Sequence, residues 1–361
     1  MRSRQVLPRT RTREINESEW DSFVAGHPHG HILQTQAWGK LKAMHGWRSA
    51  RASVLTPQGK PVAVALTLVR NLPYGLGRIA YVPRGPIVDW DNREYATKAM
   101  GTATRLARNA GAFALVIEPD LLDTATDGTI LANLGLQPLD FSVQPRRTVW
   151  VNLDVDDEVD ILAAMKQKTR YNIGLSKRKG VTVRIGAVED AEMFYTLMLA
   201  TSERDTFNIQ TPDYFRDFLK MFCIGDNAPA RLFVAEFNNE PLAAVIATGV
   251  GERAIYLYGA SGNARRELMP TYLLQWEAML WARKRGCKTY DLWGVPDEDE
   301  ATLEANFEKR NDGLWGVYRF KRGFGGQVVR HVGAWGCVLS PLRWWLFKQA
   351  RKFRKTTGLT A

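Results

Sequence analysis

Apolar and polar positions change period repeatedly along this chain. Alternation and short apolar runs predict strands at 49–55, 61–69, 79–82 and 112–118, the first two joined at Gln58-Gly59. A 3.6-residue period predicts helices at 18–23, 36–44, 94–109 and 128–134, with Gly111 and Gly135 as stops. The rhythm then starts again. A strand at 149–153 precedes a long helix over 159–179 closed by Gly180, and a strand follows at 181–185. Helices over 191–202 and 213–222 lead to a hairpin of 232–237 and 241–249 around Asn238-Asn239-Glu240. Strand 254–258, helix 271–285 and strand 288–293 complete the second half.

Each half thus orders helices, a hairpin, then strand, helix and strand. That order predicts an α/β (α+β) protein with two mixed sheets, one per domain. No sequence repeat of fixed period accompanies it. The expected domains are 1–149 with 332–361, and 150–331. The tail over 341–355 combines Trp344, Trp345, Leu346, Phe347 and Phe353 with six basic residues. Its favoured reading is a final helix docking its aromatics on a domain. The alternative is a basic amphipathic helix on an anionic membrane surface.

Composition adds a constraint on partners. The chain has 361 residues and a formal net charge of +11, which favours polyanions such as nucleic acid, nucleotide-linked substrates or anionic lipid. No apolar run is long enough to span a membrane. The basic residues of 1–13 precede no apolar core of a signal peptide, so a cytoplasmic protein is expected. Three cysteines without a CxxC pair suggest neither a disulfide framework nor zinc, and no metal is expected.

Candidate chemistry concentrates near the C-terminal end. Between Asn311 and Gly326, glycines and aromatics surround Phe320-Lys321, and such glycines let backbones approach closely. Lys321 is expected as a point charge on a shaped surface, suited to a phosphate or developing oxyanion. Glu118 ends a strand just before Pro119, either as a proton acceptor or as a turn cap. Lys166, Arg170 and Lys177 fall near one face of the 159–179 helix, facing RNA phosphate or simply solvent. Alternation puts Tyr256 and Tyr258 on one face of their strand. The loop from Gly259 to Met269 before a helix start could bind an anion, but lacks the compact glycine run of a coenzyme A site. No nucleophile motif is visible, which favours direct transfer.

Seven motifs in order then resemble one family: Gln34-Thr-Gln-Ala-Trp38, Tyr81-Val-Pro-Arg-Gly-Pro-Ile-Val-Asp89, Ile117-Glu-Pro-Asp120, Thr169-Arg-Tyr-Asn-Ile173 with Lys179-Gly-Val181, Tyr258-Gly-Ala-Ser261, Tyr290-Asp-Leu-Trp-Gly294 and Tyr318-Arg-Phe-Lys-Arg-Gly-Phe324. This is similar to the Fem family of non-ribosomal peptidyltransferases. The resemblance implies two tandem GNAT-like domains and no cofactor. It implies transfer of an amino acid from aminoacyl-tRNA to an amine of a peptidoglycan precursor, nucleotide- or lipid-linked, to form an interpeptide bridge. It assigns Lys321, Phe320 and Glu118 to catalysis. Lys42 (with Lys40 as rival), Tyr214 and Tyr258 go to the precursor, and Arg84 in the second motif is placed with them. The resemblance leaves the grip on tRNA open, so the basic helix residues Lys166, Arg170 and Lys177 stand as its candidates. Gln210 stands where the family has Arg, and Phe113 where it has an aromatic hydroxyl. A monomer is expected, with peripheral contact at the inner membrane surface through the tail as the alternative to a docked helix. The rival reading is a coenzyme A-dependent N-acyltransferase.

Overall fold

The computed structural model describes residues 15–356 apart from 125 and 206, with only the backbone of 353–356. The arginine-rich arm of 1–13 lies outside the described residues. The chain divides into two compact units, 1–144 with 332–361, and 145–331.

The first unit is built on a mixed sheet ordered Arg48–Leu55, Pro61–Leu72, Gly77–Pro83, Ala112–Glu118, Trp335–Val338 and Gln137–Pro138. Gly77–Pro83 and Ala112–Glu118 run parallel, so the connection between them must cross over. Helix Arg93–Asn109 makes that crossover. The Asn92 side chain caps it by accepting from the Tyr95 amide at 3.1 Å, and Gly111, at φ +71°, ends it. Its Ala96, Ala99, Met100, Ala103 and Ala107 pack on one sheet face with Val82, Leu115 and Ile117. The other face carries Ile79, Tyr81, Phe113 and Val116, covered by Trp344 of the C-terminal helix Pro341–Thr356.

The second unit repeats the plan. Its sheet is ordered Gln327–Arg330, Arg147–Asn152, Thr289–Gly294, Arg253–Ser261, Glu240–Val250, Ala230–Phe237 and Thr182–Ile185. Its parallel pair, Arg253–Ser261 and Thr289–Gly294, is again joined by a helix, Pro270–Lys284. Helix Pro212–Phe222 is capped by Thr211 and buries Tyr214, Phe215, Phe218, Leu219 and Phe222 at helical spacing.

Two sequence expectations change here. The 159–179 helix is broken into Glu158–Ala164 and Gln167–Arg178, with Met165 and Lys166 extended between them at ψ 154° and 145°. Met165 is buried, and the Lys166 amide donates to the Gly323 carbonyl at 2.9 Å, so tertiary contacts override helix propensity. The strand holding Tyr256 and Tyr258 has a bulge. Tyr256 pairs with Ala247 but Tyr258 with Ile246, leaving Leu257 extra. The extra residue sends the two tyrosines to opposite faces.

One polar side chain repairs the first sheet where its strands part. Pro61–Leu72 pairs with Gly77–Pro83 at one end and with Ile87–Val88 at the other. In the gap the buried Gln34 amide accepts from Leu66 N at 2.9 Å and donates to Pro83 O at 2.6 Å. A Cβ on Gly85 would lie 2.6 Å from the Gln34 amide carbon, so glycine is required there. Gln34→Ala leaves these buried backbone groups without that partner and is expected to cost about 2–4 kcal/mol in urea unfolding.

Candidate active site

In the first unit, polar groups gather at the carboxyl end of the strand after the crossover helix. Pro83 pairs with Glu118, which brings Arg84 to the same strand end. Glu118 and Arg84 are 1% and 2% exposed. Glu118 accepts a hydrogen bond from the Tyr81 hydroxyl. It also accepts from Val143 N at 2.6 Å and from Gln144 N at 3.0 Å. The Gln144 side chain in turn donates to the Tyr81 oxygen at 2.9 Å. Burial raises the Glu118 pKa, opposed by these hydrogen bonds and by the Arg84 charge. Burial beside Glu118 keeps the Tyr81 phenol protonated. Arg84 sits at φ 46°, a strained region for a side-chain-bearing residue. Both Glu118 oxygens are engaged, and they tie the strand end to the distant backbone at Val143 and Gln144.

Lys42 lies apart from this cluster in sequence, on helix Gln36–Met44. Its ammonium sits 5.0 Å from the Trp38 ring centroid. Burial, then the Arg70 charge, lowers its pKa to about 8. The rival Lys40 is ion-paired to Glu17 at 2.6 Å.

In the second unit the corresponding strand end holds Lys321. The glycine-aromatic stretch holds helix Trp315–Lys321, and Lys321 is only 5% exposed, more enclosed than a charge on a surface. Just beyond it, backbone approaches backbone closely. Cβ atoms on Gly325 and Gly326 would come within 2.5 Å of Ala164 O and 2.3 Å of Trp150 O. Both glycines have positive φ. The Lys321 ammonium donates to Gly294 O at 2.8 Å and lies 5.5 Å from the Tyr256 ring centroid. Gly294 O is aimed by a turn at Trp293, φ 64°, whose amide donates to Asp291 Oδ1 at 2.7 Å. Trp150 Nε1 donates to Asp291 Oδ2 at 3.1 Å. Burial lowers the Lys321 pKa to about 7, with Asp291 opposing. Phe320 is half-buried, its ring 5.0 Å from Tyr272 and 5.1 Å from Phe324.

Tyr214 and Tyr258 meet on the opposite face of that sheet, hydroxyl to hydroxyl at 3.0 Å. Burial raises both phenol pKa values. Tyr256 remains on the Lys321 side, and its hydroxyl fills the space a Cβ would need at Gly259. The three expected RNA-facing cations do not form one stripe. Lys166 is the N-cap residue of its helix, Arg170 turns back to the Met165 carbonyl, and Lys177 lies 3.4 Å from Glu277. No group of three or more His, Cys, Asp or Glu residues suited to a metal occurs among the described residues.

The FemAB family model matches residues 15–133, 131–240 and 230–352. The chain belongs to the FemAB family. Among curated proteins, it is 25% identical over 412 residues to the lipid II:glycine glycyltransferase of Staphylococcus aureus (strain USA300), covering 93% of this chain and 95% of that protein. Among solved structures, FemX matches with a TM-score of 0.82 at 23% identity, over 93% of this chain and 99% of that one. A tandem GNAT protein from the clavulanic acid biosynthesis pathway matches with a TM-score of 0.50 at 13% identity, over 90% and 95%. The fold is therefore the tandem GNAT-like one with mixed sheets that the motifs implied.

Several groups of this FemAB chain escaped sequence reasoning. Tyr81 and Asp291 stood inside quoted motifs, and an acid within an apolar strand was the available signal for Asp291. The Gln144 contact and the Gly294 carbonyl had no local signal, since both depend on where distant backbone passes. A prediction follows from the Lys321 pKa. Below about pH 7 the folded protein carries a buried ammonium at full cost, and the cost falls as pH rises toward the unfolded value of 10.5. Lys321→Met should therefore stabilise the protein more at about pH 6 than at about pH 9, the advantage narrowing by roughly 2–3 kcal/mol. Denaturant midpoints at the two pH values measure it.

Proposed function

We propose that this protein is an aminoacyltransferase. It moves an amino acid from aminoacyl-tRNA to an amine of the stem peptide of a peptidoglycan precursor, nucleotide- or lipid-linked. The observation that carries the reading is Lys321: a buried ammonium, poised near neutrality, at the strand end of a FemAB chain. The relative from Staphylococcus aureus, named for glycine transfer to lipid II, supports the class of acceptor.

The donor ester is already activated, so the chemistry needs no cofactor. The neutral acceptor amine attacks the ester carbonyl, an N–C bond forms, and the C–O bond to the ribose breaks. The amine proton ends on the departing ribose oxygen. Lys321 in its charged form stabilises the oxyanion, and at a pKa near 7 it can also pass a proton to the leaving oxygen. Phe320 lines the donor end beside it. Glu118 acts through Tyr81 and Arg84, fixing polar groups that orient the acceptor, and Lys42, on helix Gln36–Met44 of the same unit, meets its phosphates. Tyr214 and Tyr258 hold another part of the precursor, on the face of their sheet away from Lys321. Lys166, Arg170 and Lys177 meet tRNA separately rather than as one face. The protein works as a monomer on the cytoplasmic side, in peripheral contact with the membrane when the acceptor is lipid-linked. Coenzyme A-dependent transfer is not favoured, because the turn before Pro270 has side-chain-bearing Arg265 and Met269 at positive φ and no compact glycine run.

The test is transfer of labelled amino acids from mixed aminoacyl-tRNA to nucleotide- and lipid-linked precursors. Ribonuclease-sensitive label should enter one of them. Lys321→Met should lower kcat/KM by about 10²–10³ and leave the fold intact. Glu118→Gln should lower it by roughly tenfold or more. Absence of label from both precursors, or near-normal turnover by Lys321→Met, would overturn the reading.

A further inference from the structure

The C-terminal helix Pro341–Thr356 carries two apolar stripes, and only one is used inside the first unit. Trp344 and Phe347 face inward, with ring centroids 6.4 and 5.7 Å from Phe113. Arg351 lies beside them, 3.7 Å from the Phe141 ring centroid. At about 100° per residue, Leu342, Trp345 and Leu346 fall on the opposite side. They are 69%, 53% and 41% exposed. Arg343, Lys348 and Lys352 are exposed and lie on the flanks between the two stripes. The helix contains no acidic residue.

A second element adds to the same edge. The hairpin between Pro61–Leu72 and Gly77–Pro83 carries Tyr74, 88% exposed, at its tip. A Cβ on Gly77, at the base of that hairpin, would sit 3.3 Å from the Arg343 guanidinium. The hairpin base and the start of the helix are therefore neighbours.

We propose that this edge docks on an anionic lipid bilayer, with the helix lying in the interfacial plane. An exposed Trp and two Leu on one stripe are unfavourable in water and favourable at the headgroup–acyl boundary. Trp345 and Tyr74 are the amphipathic rings suited to headgroup depth. The flanking cations bury their stems and keep their charges among anionic headgroups. The same flanks disfavour a second copy as occupant. Two such stripes meeting would bring six like charges to one seam, counting Arg343, Lys348 and Lys352 twice. No helix among the described residues is long and apolar enough to cross a membrane, so the helix lies on the bilayer rather than through it.

The surface is separate from the transfer chemistry, and its test reads binding without turnover. The full-length protein is sedimented with phosphatidylglycerol–phosphatidylcholine vesicles at low salt. Wild type should pellet with the vesicles. Trp345→Ser with Leu346→Ser should lower the partition coefficient about tenfold or more, and Tyr74→Ser roughly threefold. Lys348→Glu with Lys352→Glu should weaken binding and remove its salt dependence. All variants should keep wild-type transfer to a soluble nucleotide-linked acceptor, which separates loss of docking from loss of the enzyme. Wild type remaining in the supernatant would overturn the proposal, as would unchanged binding by the Trp345/Leu346 variant. So would vesicle-free self-association that disappears in that variant, because the stripe would then join two copies.

Discussion

The second unit is organised around keeping one lysine ammonium out of water. Among the described residues, the Lys321 ammonium donates to the Gly294 carbonyl and faces an aromatic ring in place of a carboxylate. A directly paired carboxylate would hold the charge permanently. Burial, offset only in part by the more distant Asp291, leaves it close to losing its proton at neutrality. This arrangement depends on backbone placement. Gly325 and Gly326 bring their segment against Ala164 and Trp150, and the Trp293 turn directs the carbonyl.

Architectural duplication places chemistry in both units by the same rule. In each, a strand, a helix and a parallel strand produce a strand end where polar groups converge, the usual place for ligands in open parallel arrangements. The contents differ. The first unit holds a buried acid bonded to a phenol, and the second a buried base facing a carbonyl. The bulge at Leu257 divides labour further within the second unit. It leaves Tyr256 beside Lys321 and sends Tyr258 to Tyr214 on the other side of the sheet.

The hairpins and crossover units were legible because their hydrophobic period is strong over many residues and their stops are glycines. The break at Met165-Lys166 was not, since both residues favour a helix and only the distant Gly323 carbonyl draws the backbone out. The bulge was equally hidden. One extra residue inverts every later side chain, and nothing in Tyr-Leu-Tyr-Gly announces it. The return strands Gln327–Arg330 and Trp335–Val338 are too short to declare a period. For the candidate site, residue identities were readable through ordered motifs, while environment was not. Lys321 read as a surface charge because lysines usually are one. Its surroundings depend on sequence-distant backbone: Gly294, whose carbonyl accepts its hydrogen bond, and Ala164 and Trp150, against which Gly325 and Gly326 pack.

The central claim is that Lys321 is held as a buried, nearly neutralised amine. Direct titration of its side-chain nitrogen by NMR, with the resonance assigned through Lys321→Met, tests it most closely. The account predicts a midpoint near 7, moving lower in Asp291→Asn as the stabilising acid is removed. A midpoint near the ordinary 10.5, unaffected by Asp291→Asn, would contradict it.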